Sequence, residues 1–87
     1  MIKLIEYRVV HHINGRIRLH VPAIKNLSIE TLNKLAALPI PNGISNVNVN
    51  PITGSIVINY DPKHIDITKF LEEMMSDEKL LTIVGSQ

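Results

Sequence analysis

The stretch Asn46–Pro62, NVNVNPITGSIVINYDP, leaves the chain few ways to fold. Val47 and Val49 alternate with Asn46, Asn48 and Asn50, the period of a strand with one buried face. Ile56, Ile58 and Tyr60 repeat that period after Pro51 and Gly54, which punctuate a connection of four or five residues. Gly54 can take the positive φ that such a turn needs. The spacing predicts a β-hairpin closed by Tyr60-Asp61-Pro62. One helical pattern precedes it and another follows it, with strand candidates at both ends. That is the outline of a small α+β sandwich.

The remaining sequence fills in this outline. Lys3–Ile13 reads as a strand, rich in β-branched residues and free of proline and glycine. Asn14-Gly15 is the strongest short hairpin signal. After it, Ile17, Leu19 and Val21 point inward and Arg16, Arg18 and His20 outward, until Pro22 ends the strand. A two-residue turn sets Ile13 opposite Arg16, His12 opposite Ile17 and His11 opposite Arg18. His11 then shares the outer face with Arg18, while His12 turns to the apolar side. Ser28 is an N-cap for a helix from Ile29 to Leu38, with Glu30 in its first turn and Ile29, Leu32, Leu35 and Ala36 as its buried stripe. Pro39 and Pro41 stop it. Asp66 caps a second helix, Ile67–Met75, whose apolar face is Ile67, Phe70, Leu71 and Met74. Asp77 and Glu78 break that helix, and Leu80–Val84 is expected to be a final short strand.

Without its N-terminal strand the order is β-α-β-β-α-β, the ferredoxin-like arrangement, with both helices on one face of an antiparallel sheet. The expected core includes Leu19, Leu32, Leu35, Val47, Val49, Ile58, Phe70 and Leu71. Two strands, Lys3–Ile13 and Leu80–Val84, then compete for one edge of Arg16–Val21. That conflict predicts strand pairing or strand exchange with a second copy, giving a two-fold homodimer.

Composition narrows the function. At 87 residues a single domain, 1–87, is expected, with residues 1–14 as an N-terminal strand extension,. The chain has no cysteine, which removes disulfides and thiolate metal sites,. Nine Lys and Arg against eight Asp and Glu leave non-specific nucleic-acid binding little help from bulk charge,. No apolar run approaches the roughly 20 residues of a membrane span. The opening MIKLIEYRVV lacks the apolar core and cleavage site of a signal peptide, so a cytoplasmic location is expected,.

Gly43-Ile44-Ser45-Asn46-Val47, Val49-Asn50-Pro51-Ile52-Thr53-Gly54 and Val57-Ile58-Asn59-Tyr60-Asp61-Pro62 carry a family resemblance. From Gly15 to about Met75 the chain resembles the heavy-metal-associated domain of copper chaperones and metal-transporting P-type ATPases. The family often shows V-N-x-x-T-G and V-x-Y-D-P at these places. His11 through Arg18 is similar to a cysteine-free branch reading H-x-x-P-G-R-x-R, with Asn14 in place of the proline. The resemblance implies the ferredoxin-like fold and an association with metal transport, with a P-type metal ATPase as a protein partner. It does not imply copper carriage. Where metal-binding members place two cysteines, this chain has Pro22–Ser28, which contains no soft ligand for Cu(I),.

Two site hypotheses follow. Arg16 and Arg18, two residues apart on an outward strand face, can hold a carboxylate or phosphate bidentately or meet an acidic partner. His11 and His20 share that face and are candidate ligands for a borderline divalent metal such as Zn, Ni or Fe. Against the second, Arg18 faces His11, no Asp or Glu completes the shell, and the two imidazoles sit diagonally; a dimer interface would be needed to gather enough ligands. Other chemistry is poorly supported. RNA-recognition domains of this topology stack bases on outward aromatics, which are missing here. Acylphosphatases share the fold and use an Arg and an Asn, but the Arg lies in a phosphate-cradling loop with no counterpart in this chain. No nucleophile or acid–base constellation is present, so no enzymatic activity is expected.

Overall fold

The computed structural model describes residues 5–85. Asn14-Gly15 forms a two-residue turn, with Gly15 at φ +92°, between strands β1 (Arg8–Ile13) and β2 (Arg16–His20). Ile13 pairs with Arg16, His12 with Ile17 and His11 with Arg18, the register that the turn dictates,. The second hairpin joins β3 (Ile44–Asn50) to β4 (Ser55–Tyr60). Its connection turns at Gly54, whose φ is +73° and whose N–H donates to the Asn50 carbonyl at 2.9 Å. The four strands form one antiparallel sheet in the order β1-β2-β4-β3.

Three helices complete the chain: α1 (Ile29–Ala36), α2 (Ile67–Met75) and α3 (Glu78–Gly85). The Ser28 Oγ accepts the Thr31 N–H at 3.1 Å and Asp66 accepts the Lys69 N–H at 3.2 Å, so both expected N-caps are in place,. Ile17 and Leu19 of β2 and Ile56, Ile58 and Tyr60 of β4 are buried against Ile67, Leu71 and Met75 of α2. The helices thus cover one sheet face. This is a ferredoxin-like α+β sandwich.

Several expectations are corrected. Leu80–Val84 is not a strand but lies within α3. Its apolar residues were consistent with either form, and tertiary packing decides: β1 already fills the sheet edge beside β2,. Leu80, Leu81 and Val84 instead pack on the core from helical spacing. The Asp77 carboxylate accepts the Lys79 N–H at 2.8 Å, so Asp77 opens α3, after α2 has ended at Met75 with Ser76 as its C-cap. With the edge conflict gone, so is the reason for a strand-exchanged dimer. The N-terminal strand begins at Arg8 rather than Lys3. Residues 5–7 are irregular, with the Ile5 N–H donating to the Met75 carbonyl at 2.9 Å; Lys3 and Leu4 lie outside the described residues.

The first helix ends at Ala36, two residues before Leu38, and is rotated from its expected stripe. Thr31 is buried, its hydroxyl 2.9 Å from that of Ser28, whereas Ile29 is 77% exposed and Ala36 is also exposed. Leu32, Leu35, Val49 and Phe70 are half-buried rather than fully enclosed. Val47 faces the core side yet is 36% exposed, because β3 is an edge strand and the short α1 leaves an apolar cleft of about 460 Å³ beside it. Replacing Ser28 with Ala should cost about 1 kcal/mol by removing the α1 cap. An unchanged chemical-denaturation midpoint would show that the cap contributes nothing.

Candidate functional site

The face of the sheet turned away from the helices is a grid of three rows by four strands. Ile13, Arg16, Asn59 and Asn46 form the first row. His11, Arg18, Val57 and Asn48 form the second, and Arg8, His20, Ser55 and Asn50 the third. The chain has three arginines, and all of them stand on this face. Asp and Glu are missing from all twelve positions. Among the described residues the one ion pair is Asp61–His64, at 2.6 Å in the loop after β4, so no carboxylate neutralises the arginines.

Arg16 and Arg18 lie where the alternation predicts, both exposed. Arg8 could not be placed from the pattern. Counting back from His11 assigns it to the inner face, but Val9 pairs with Leu19 and Val10 is left over as a β-bulge. One extra residue reverses the faces beyond it. The doubled Val9-Val10 in an otherwise patternless strand is the only sequence trace of this irregularity.

His11 and His20 occupy the same face. They stand on adjacent strands and different rows, and each is directly opposed by an arginine, His11 by Arg18 and His20 by Arg8. Two guanidiniums make the place unfavourable for a cation. His20 is half-buried against the second turn: a methyl group on Gly54 would stand 3.3 Å from its ring. His12 turns to the inner side as its parity requires, its Nε2 2.6 Å from the Tyr60 hydroxyl, so it is no third ligand. Among the described residues no group of three or more His, Asp and Glu is placed to hold a metal ion.

The loop Pro22–Ser28 supplies no sulfur or imidazole donor. Pro22–Ile24 is a single 3-10 turn, Ile24 and Leu27 are buried, and Asn26 adopts φ +64° with its N–H on the Pro51 carbonyl at 2.8 Å. This loop is a packing element. Elsewhere, Asp61 organises the segment after β4: the Lys63 backbone N–H, then His64, hold its carboxyl below the usual range. Both groups are exposed and cap a turn.

The fold and this open face define a cysteine-free α+β binding module. Residues 4–82 match the family described as heavy metal associated domain 2, and the chain belongs to that family. No curated protein and no solved structure matches it. Among the described residues no helix is long and apolar enough to cross a membrane.

Proposed function

We propose that this chain is a docking module of a metal-ion transport system, which engages a protein partner through its open sheet face and carries no metal of its own. Membership of the heavy metal associated family supports the setting. The observation that carries the reading is the concentration of Arg8, Arg16 and Arg18 on one uncovered face without a carboxylate. Such a face attracts an acidic surface and selects for it, because unmatched partners leave the guanidiniums desolvated and unpaired. The partner that the family points to is a metal-transporting P-type ATPase, met on its cytoplasmic side. The module has no catalytic role of its own.

A carrier role for His11 and His20 gains nothing from this geometry, since each imidazole faces a guanidinium. Photo-crosslinking in the native cells tests the docking reading. A benzoylphenylalanine at Asn48, on the open face, should crosslink to a metal-transporting ATPase identified by mass spectrometry; the same probe at Lys69, on α2, should not. Crosslinks from Lys69 alone would overturn the docking face. Zn(II) titration gives the independent check: micromolar binding that disappears in H11A/H20A would establish the carrier instead.

A further inference from the structure

The open face has more order than a basic patch. Its rows are about 7 Å apart, the length of two residues of extended chain. Each row holds one guanidinium: Arg16 in the first, Arg18 in the second and Arg8 in the third, one strand to the side. The Val10 bulge produces this, because without it Arg8 would face the helices,. Beside this line of cations run Asn59, Asn46, Asn48 and Asn50, neutral amides that can donate to or accept from a peptide backbone,.

We infer that the face is built to receive an extended acidic segment with carboxylates at alternate residues, Glu or Asp at i, i+2 and i+4, one for each arginine row. This rests on the docking reading above and specifies the partner's chemistry. An extended chain places alternate side chains on one side at the same 7 Å or so, so the two repeats stay in step over all three rows. Arginine suits the task because its planar fork meets a carboxylate through two parallel hydrogen bonds. The arginines are exposed and engage no acid of their own chain among the described residues.

Two other polyanions fit less well. Recognition of anionic lipid by a basic cluster takes about 4–8 Lys or Arg, and this face has three and no lysine. Single-stranded nucleic acid is held largely by stacking of successive bases on aromatic rings; the twelve grid positions hold no Phe, Tyr or Trp, and their two imidazoles, His11 and His20, stand on different strands and rows.

Fluorescence anisotropy with the full chain decides the matter. The probe is a fluorescein-labelled peptide, Glu-Ser-Glu-Ser-Glu-Ser, and the control has the same composition in block order, Glu-Glu-Glu-Ser-Ser-Ser. The alternating peptide should bind saturably, weaken with salt, and bind more tightly than the block peptide. R16Q/R18Q should reduce its affinity about tenfold or more, while K69Q/K79Q on the helical side should leave it unchanged. Circular dichroism checks that each variant is folded; should R16Q/R18Q not fold, the alternating-against-block comparison on the unaltered chain decides. Equal affinity for the two peptides, no saturable binding, or an undiminished R16Q/R18Q variant overturns the inference. So does tighter binding of phosphatidylserine/phosphatidylcholine vesicles or of a single-stranded oligonucleotide of equal charge. If Asn48 crosslinks to the ATPase and the alternating peptide fails, the docking reading stands and only the alternate-carboxylate assignment falls.

Discussion

Replacing Leu19 with alanine is expected to destabilise the protein by about 2–5 kcal/mol. Leu19 is 0% exposed and sits mid-strand between Val9 of β1 and Ile56 of β4, under the helices. Truncation removes its transfer energy and leaves a cavity that a hydrogen-bonded sheet cannot collapse to fill. A domain of this size has a total stability of roughly 5–10 kcal/mol, and each kcal/mol lost lowers its melting temperature by about 4–8 °C. The variant should therefore melt about 8–40 °C lower, and at the upper end be partly unfolded at room temperature. The same truncation at Leu35, which is half-buried, should cost clearly less. Calorimetry on both variants checks the order; a larger loss at Leu35 would mean that the core is centred on α1 instead.

The second large effect is expected at Gly43. Its φ is +99°, a region that side chains with a Cβ rarely enter,. An added Cβ would also stand 2.9 Å from the Ile65 Cβ, closer than van der Waals contact permits. The Gly43 carbonyl accepts the Asp61 N–H at 2.6 Å, so the turn cannot swing aside without losing the bond that ties β3's start to β4's end. Gly43→Ala should cost about 1–3 kcal/mol in backbone strain alone, with displacement of Ile65 in addition. Thermal denaturation provides the measurement. A melting temperature within a degree of the unaltered protein would show that Gly43 is an ordinary loop residue.

The β1–β2 register could be read because Asn14-Gly15 permits one tight turn, and that turn fixes which residues oppose each other,. The turn therefore places Arg16, Arg18, His11 and His20 on one face from the sequence alone. Arg8 is not placed this way, because the doubled Val9-Val10 is recognisable as a bulge only once the partner strand is known. The form of Leu80–Val84 is not legible, because a five-residue apolar run suits a strand or a helix alike; with β1 on the sheet edge beside β2, it packs as part of α3. Val47 has the inward parity expected of it, but how far α1 reaches over β3 is a property of tertiary packing. The histidines illustrate the same limit from the other side. Their shared face was readable, whereas the guanidinium opposite His20 appeared only with the displaced Arg8.

The origin of the edge strand beside β2 also bears on how fast the protein folds. In the usual ferredoxin-like order that place is taken by the C-terminal strand, which here would have to return roughly 60 residues along the chain to find its partner,. Instead β1 joins its immediate neighbour, with Ile13 meeting Arg16 across the turn and Arg8 meeting His20 at the far end. Closing a short loop loses less chain entropy than closing a long one, and sheets made from local pairs cross their folding barrier sooner. The longest-range strand pairing left is that of β2 with β4, which reaches no further along the chain than Asn59. Every strand of the sheet thus precedes α2 and α3 in the chain, and no strand pairing depends on the C-terminal segment.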